Sequence, residues 1–421
     1  MKSINSNSIY LVIEKSLRFF NGIIATALTA RYLGAENIGY YNYNIAIIML
    51  LTPIVMLGFR DILITKIKEK HFNHYYIVLS TLSSFIVSTL IYIIIIMYEK
   101  NSHGISILEI SPLKILGFIL ILLSFEPSLS LLISHEKSKF ILLAGLLQTI
   151  ISITLKVLLV YYKGNIVHLC MIYLIENLIY YFICTASAIF LFKNKKTNIK
   201  IKRLFKAIPK FYSEIFSSSI NLMISGFMIS AYMRIDIFMI EHYSNLSSVG
   251  IYSTAVRLIE AIYFIPSMYV LGSFPNIIEN LKNKNFIACA NISKILLLSS
   301  MVFIIFYQVV GDDIIDTLFG INFREASDIL KIYSLVVIIT FQGFLIEKII
   351  LLKHGSKVIL IAVFLGLILN IIMNMVFIPI YGIKGAAYST IACQSISYFA
   401  YYLFNKKTRN TIFSIYQNYS K

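Results

Sequence analysis

Long apolar runs separated by short polar ones dominate the chain, and several runs carry a charge in their interior. About 20 apolar residues make one crossing of a bilayer. By that measure the pattern predicts twelve spans, at roughly 8–32, 37–58, 75–98, 113–134, 140–162, 166–192, 213–240, 249–274, 288–310, 327–352, 357–379 and 383–404. The first run holds Glu14, Lys15 and Arg18 and is followed by no small-residue cleavage site. It therefore reads as a membrane helix and not as a cleaved signal peptide.

The connecting segments give an orientation. With the N-terminus in the cytoplasm, cytoplasmic segments hold 23 Lys and Arg residues and outer segments hold 6. That asymmetry places both termini inside. The longest basic run, Lys193 to Lys210, falls between spans six and seven. The expected organisation is an N-terminal six-helix bundle over 1–192, a basic cytoplasmic linker over 193–212, a C-terminal six-helix bundle over 213–404 and a cytoplasmic tail over 405–421. The basic linker reads as an inner-leaflet contact with anionic lipid.

A repeat supports the division. Tyr32 to Tyr41 and Tyr243 to Tyr252 both read Tyr–x6–Gly–x–Tyr, at an offset of 211 residues. Gly385–Thr390 is a third, shorter echo. Spans one and seven start on the same side, so the halves are expected to be parallel repeats with a pseudo-two-fold axis along the membrane normal. In transporters that relation puts the substrate path between repeats.

Composition agrees. The chain is 58% hydrophobic and 14% charged, against about 25% charged in a soluble domain. Its net charge of +17 sits in loops between apolar runs, which favours a membrane explanation over nucleic acid. Cys170, Cys184, Cys289 and Cys393 lie far apart in apolar stretches, with no CxxC and no Cys/His pairing. Neither a disulfide nor a metal site is expected from them. His71 and His74 read as a solvated basic loop.

The intramembrane charges carry the chemistry. At about 1.5 Å per residue, Arg18 falls near the midplane of span one, with Glu14 on the same face at i−4. Arg234 and Asp236 fall in the outer half of span seven. Arg257 lies at similar depth in span eight, with Glu260 nearer the midplane. Arg18, Arg234 and Arg257 suit an anionic head group such as a diphosphate, because a guanidinium binds phosphate oxygens bidentately. Glu14, Asp236 and Glu260 are candidates for coupling to a proton or Na⁺; no other cofactor is expected. The competing reading is mutual neutralisation, pairing Glu14 with Arg18, Arg257 with Glu260 and Lys156 with Glu176. Lys294, Glu347 and Lys348 sit where snorkelling suffices. Pro53, Pro127 and Pro266 lie inside spans two, four and eight and permit bends.

Three patches resemble one family. Glu14-Lys15-x-x-Arg18 with Arg31–Gly39 is one; Arg234-x-Asp236 with Val249 to Glu260, Pro266 and Pro275 is another; Gly382-Ile383-x-Gly385-Ala386-Ala387 is the third. Each resembles Wzx-type O-antigen and polysaccharide flippases, a branch of the multidrug/oligosaccharidyl-lipid/polysaccharide exporter superfamily. The resemblance implies an all-α polytopic membrane protein, two six-helix bundles around a central cavity, working by alternating access. It implies flipping of undecaprenyl-diphosphate-linked oligosaccharide across the bacterial cytoplasmic (inner) membrane, for O-antigen of lipopolysaccharide or another surface polysaccharide. Arg257 matches a helix-eight arginine position that lipid-linked precursor flippases use. The equivalent positions of the first repeat, Ile23, Ala25, Ala46 and Met49, are apolar, so the site is not symmetric. Expected partners are the lipid-linked oligosaccharide, membrane lipids and other polysaccharide assembly proteins, with no nucleic acid. A non-enzymatic role is expected. The alternatives are a multidrug or cation antiporter of the same fold, and a membrane polymerase or ligase. The latter needs a sizeable outer loop, and Asp312, Asp313 and Asp316 read as a solvated loop instead.

Overall fold

The computed structural model describes residues 6–67, 74–103, 109–192, 201–283 and 285–420. His71, Lys68, Lys70, Lys284 and the first part of the basic linker, 193–200, lie outside the described residues. The described residues are mostly helical, with no strand among them. In chain order the helices are α1 (Ser6–Met56), α2 (Phe59–Lys66), α3 (Tyr75–His103), α4 (Pro112–Leu123), α5 (Glu126–Ser134), α6 (Lys139–Tyr161), α7 (Ile166–Phe192), α8 (Ile201–Phe211) and α9 (Ser217–Tyr243). They continue as α10 (Leu246–Glu260), α11 (Phe264–Gly272), α12 (Phe274–Lys282), α13 (Ile287–Leu318), α14 (Glu325–Ser334), α15 (Val336–His354), α16 (Ser356–Tyr381), α17 (Ile383–Ser395), α18 (Tyr401–Phe404) and α19 (Arg409–Gln417).

Among the described residues, nine helices are long and apolar enough to cross a membrane, or ten if the bent pair α14 and α15 is one span. The chain is a multi-pass membrane protein. The expectation of twelve spans differs from this count at two places. Residues 8–32 and 37–58, expected as separate spans, lie in one 51-residue helical run that is two helices joined at a kink at Gly34 (φ 82°, ψ 170°), so one counted helix holds both. The last expected span, 383–404, divides into α17, a π-turn and α18. Lys384, Gln394 and its serines and tyrosines make it too polar for a long apolar span. Asp312, Asp313 and Asp316, expected in a loop, lie on the last turns of α13.

The prolines act where helices restart. Pro127 lies in the first turn of α5 and Pro266 in the first turn of α11, positions where a missing N–H costs little. Pro53 is inside α1. Two breaks follow from these residues: α4 gives way to α5 at Ser124–Phe125, and α10 gives way to α11 through a 3₁₀ turn at Ala261–Tyr263.

The packing inverts that of a soluble bundle. On α3, Ser80, Ser84 and Ser88 recur every fourth residue and are buried, while Phe85, Ile86 and Leu90 face outward and are exposed. Lipid is as apolar as leucine, so helix contacts come from small residues that allow close approach.

The chain forms two compact units: Met1–Thr29 with Asn44–Ser230, and Ala30–Tyr43 with Ala231–Lys421. In the first, Phe59, Leu63, Leu132, Phe211 and Ile215 centre an apolar core built from α2, α5, α8 and the π-turn after α8. In the second, the two repeat motifs meet. A Cβ at Gly39 would lie 1.7 Å from the Leu246 carbonyl oxygen, and one at Gly250 would lie 2.0 Å from that of Ala35. Only glycine permits that crossing. Three residues on, Asn42 donates to Ser253 Oγ at 2.6 Å. Both pairs keep the 211-residue offset, so equivalent positions of the repeat touch each other.

Candidate functional site

In the first unit the N-terminal part of α1 supplies Glu14 and Arg18. One helical turn separates them, which brings Glu14 Oε1 to 3.1 Å from Arg18 Nε. Glu14 is buried because Gly145 of α6 has no side chain; a Cβ there would lie 2.8 Å from Glu14 Cγ. Gln148, one turn along α6, accepts from Arg18 Nη1 at 3.4 Å. The guanidinium lies over the Tyr180 ring at 4.7 Å and stays partly exposed.

A second carboxylate–arginine pair lies in the same unit. The left-handed backbone at Gly58 (φ 66°) starts α2 and carries Arg60. Arg60 Nη1 is 3.1 Å from Glu126 Oε1 of α5, and the Tyr181 hydroxyl donates to Glu126 Oε2 at 3.3 Å. Farther along α6 and α7, Lys156 Nζ is 3.5 Å from Glu176 Oε2 and 2.8 Å from Ser152 Oγ. That buried pair is the neutralisation the sequence suggested.

In the second unit Asp236 of α9 is buried among neutral groups. The Tyr252 hydroxyl (α10) donates to it at 2.8 Å and the Asn374 amide (α16) at 2.7 Å. Thr390 Oγ1 (α17) is 2.7 Å from the same carboxylate. Asn374 also donates to Asn370 at 2.9 Å, and its own Oδ1 is buried without a hydrogen-bond partner among the described residues. No Lys or Arg forms an ion pair with Asp236 among the described residues.

The other charges of this unit arrange differently from the simplest expectation. Arg234 Nη2 lies 3.6 Å from Glu260 Oε2, so Glu260 pairs with the arginine of α9, where the sequence suggested Arg257 one turn back. Arg257 Nη2 donates to Asn42 Oδ1 at 3.0 Å. Asn42 therefore ties the first repeat motif to Arg257 of α10.

Thus Glu14 with Arg18 and Arg234 with Glu260 are brought together as pairs, and Asp236 stands in a network of its own. Sequence reading missed Asn42, Arg60, Glu126, Asn370, Asn374 and Thr390 as site members. A signal existed for some. Asn370 and Asn374 are polar, one turn apart, inside the very apolar span 356–381, where a polar side chain needs a partner. Asn42 and Ser253 are related by the repeat offset. The four cysteines are buried and free. Among the described residues no three His, Cys, Asp or Glu side chains gather to hold a metal ion.

The family model described as "Polysaccharide biosynthesis protein" matches residues 4–281. The chain belongs to that family. No curated protein matches it. Among solved structures it is similar to the lipid II flippase MurJ in an inward closed conformation, at 19% identity and TM-score 0.69, covering 98% of this chain and 90% of that one. It is similar to a multidrug resistance MATE family transporter of the MOP superfamily in an inward-facing conformation, at 14% identity and TM-score 0.66, covering 99% and 97%. It is also similar to a MOP superfamily transporter from Pyrococcus furiosus whose binding pocket is described as reversed in polarity, at 13% identity and TM-score 0.62, covering 97% and 95%. This family member therefore shares its fold with these three proteins.

Proposed function

We propose that the protein is a flippase for undecaprenyl-diphosphate-linked oligosaccharide, moving repeat units across the bacterial cytoplasmic membrane by alternating access for O-antigen or another surface polysaccharide. The observation that carries this reading is a fold shared along 98% of the chain with a lipid II flippase, in a member of a polysaccharide biosynthesis family. It is a transport role and not an enzymatic one, with both termini in the cytoplasm as the Lys and Arg distribution supports.

The charges divide the work. Arg18, Arg234 and Arg257 supply guanidinium forks for the diphosphate. Asn42 fixes one edge of Arg257 and leaves the fork in a set orientation. Of the three acids, Glu14 and Glu260 already face guanidinium groups. Asp236 does not, so it is the group assigned to coupling. Its carboxylate, the Tyr252 and Thr390 hydroxyls and the unpartnered Asn374 Oδ1 are all oxygens. That donor set fits a proton or a hard cation such as Na⁺. An ion that binds one conformation better than the other shifts the population toward it.

A cation or drug antiporter is the second reading, favoured by the likeness to MATE transporters and by the buried acid at Asp236. The deciding experiment uses purified protein in liposomes. The flippase reading expects a fluorescent undecaprenyl-diphosphate-linked saccharide to cross the bilayer and ethidium to remain. Ethidium movement without saccharide movement would establish the antiporter. In cells, Arg257→Ala should abolish surface polysaccharide while the protein stays in the membrane; normal polysaccharide would remove Arg257 from the site.

A further inference from the structure

Arg60 and Glu126 belong to no role described so far, although their geometry copies that of Arg18 and Glu14. In each pair the carboxylate is buried, at 5% exposure for Glu126 and 4% for Glu14. In each pair the arginine side chain remains 41% exposed, with one nitrogen 3.1 Å from its carboxylate. The arginines therefore have a fixed, buried side and an open side. A guanidinium has five N–H donors in a rigid fork. Among the described residues, Glu126 is the sole ion-pair partner of Arg60, which leaves most of that fork for a ligand.

The supporting shell is also matched. Tyr181 binds Glu126 and the adjacent Tyr180 lies under Arg18, so one turn of α7 braces both pairs. Ser130 Oγ, one turn beyond Glu126 on α5, donates to the Arg60 carbonyl at 3.3 Å and locks α2 to α5. Glu126 lies within electrostatic reach of Arg18 and Glu14 as well as Arg60, so the pairs form one cluster. Lys15, exposed on α1, feels Arg60, Glu14 and Arg18 together. The cluster holds three cations and two carboxylates, and its open side is cationic. The Lys156–Glu176 pair buries both partners. Here only the acids are buried.

We infer that Arg60 is a further anion-binding residue of the first unit, and that Glu126 and Tyr181 are positioning residues that aim its guanidinium at a phosphate or diphosphate group on a lipid. This rests on the flippase reading given above and adds a contact to it. Glu14 then acts on Arg18 as Glu126 acts on Arg60, as a holder of an arginine and not as a coupling acid.

The test is binding of farnesyl diphosphate to the full-length protein in detergent, followed by thermal shift, with farnesol as the uncharged control. The wild type should be stabilised by the diphosphate and not by farnesol. Arg60→Gln should weaken that binding about tenfold, the worth of one charge-assisted hydrogen bond. Arg60→Lys should recover part of the loss, because charge remains without the fork. Glu126→Leu should weaken binding as much as Arg60→Gln, and Glu126→Gln should rescue in part by keeping an acceptor for the guanidinium. A merely structural pair would lower the melting temperature of the unliganded variants and leave their diphosphate affinity at the wild-type value; that result would overturn the proposal. Failure of the wild type itself to bind the diphosphate would overturn the flippase reading and this inference with it. Wild-type binding with unaffected variants would overturn this inference alone.

Discussion

Glu126 and Asp236 are carboxylates buried to nearly the same degree, at 5% and 6% exposure, in apolar helices of the same chain. Their surroundings differ in kind. Glu126 faces a guanidinium at 3.1 Å and one tyrosine hydroxyl. Asp236 faces two hydroxyls and an amide, all neutral. A carboxylate against arginine already has a cationic partner, and its use is to hold that arginine. A carboxylate among neutral donors keeps the ability to gain a proton or a cation. Burial alone therefore does not say what an acid in a membrane does; the charge of its nearest partner does.

The comparison can be broken most sharply at Asp236. Asp236→Leu leaves the Tyr252, Asn374 and Thr390 donors facing an apolar side chain, and the expected loss is roughly 3 kcal/mol from orphaned hydrogen-bonding groups. Thermal unfolding in detergent measures it, and a loss below about 1 kcal/mol would mean that water or another acceptor replaces the carboxylate. Asp236→Asn keeps acceptor capacity, so most of the stability should remain while any dependence of transport on pH or Na⁺ disappears. An unchanged ion dependence in that variant would move coupling away from Asp236.

Smaller effects sharpen the other side of the contrast. Gly145→Ala drives a methyl into Glu14 and should cost about 1–3 kcal/mol through overpacking, with the Arg18 pair displaced. Arg18→Gln should cost less, up to about 1 kcal/mol, because the side chain is partly exposed and its ion pair is screened. A larger loss of stability from Arg18→Gln than from Gly145→Ala would make Arg18 a structural residue. At the bottom of the scale, Lys384→Gln breaks the exposed contact to Asp328 and should leave the unfolding temperature at the wild-type value. Ion pairs at such exposed sites contribute little.

Several parts of this arrangement could be read before any coordinates. The Glu14–Arg18 pair follows from helical spacing alone, since i and i+4 share a face. The Lys156–Glu176 pair followed from equal depth in neighbouring spans. The glycine of each repeat motif was visible, but its purpose was not: Gly39 and Gly250 prove to be the place where two backbones cross. Arg60 escaped notice because it lies just past the end of a predicted span, where a basic residue usually meets the inner leaflet. Only the left-handed turn at Gly58 and the restart of the chain as α2 bring it to Glu126. Glu260 shows the same limit, since spacing suggested Arg257 and the packing of α9 against α10 supplies Arg234.

By itself the sequence determined that this is a helical, multi-pass membrane protein, because bilayer thickness and the cost of exposed backbone leave an apolar chain of this length few other forms. It also determined which residues are out of place in lipid. Tertiary structure alone decided which partner each of those residues meets. Spacing along a helix fixes a side chain's direction and depth, whereas its partner depends on which other helix lies opposite, at a separation of 16 residues for Tyr252 and 154 for Thr390 around Asp236. Contacts between such distant positions are set by the crossing of whole helices, and local pattern carries no record of them.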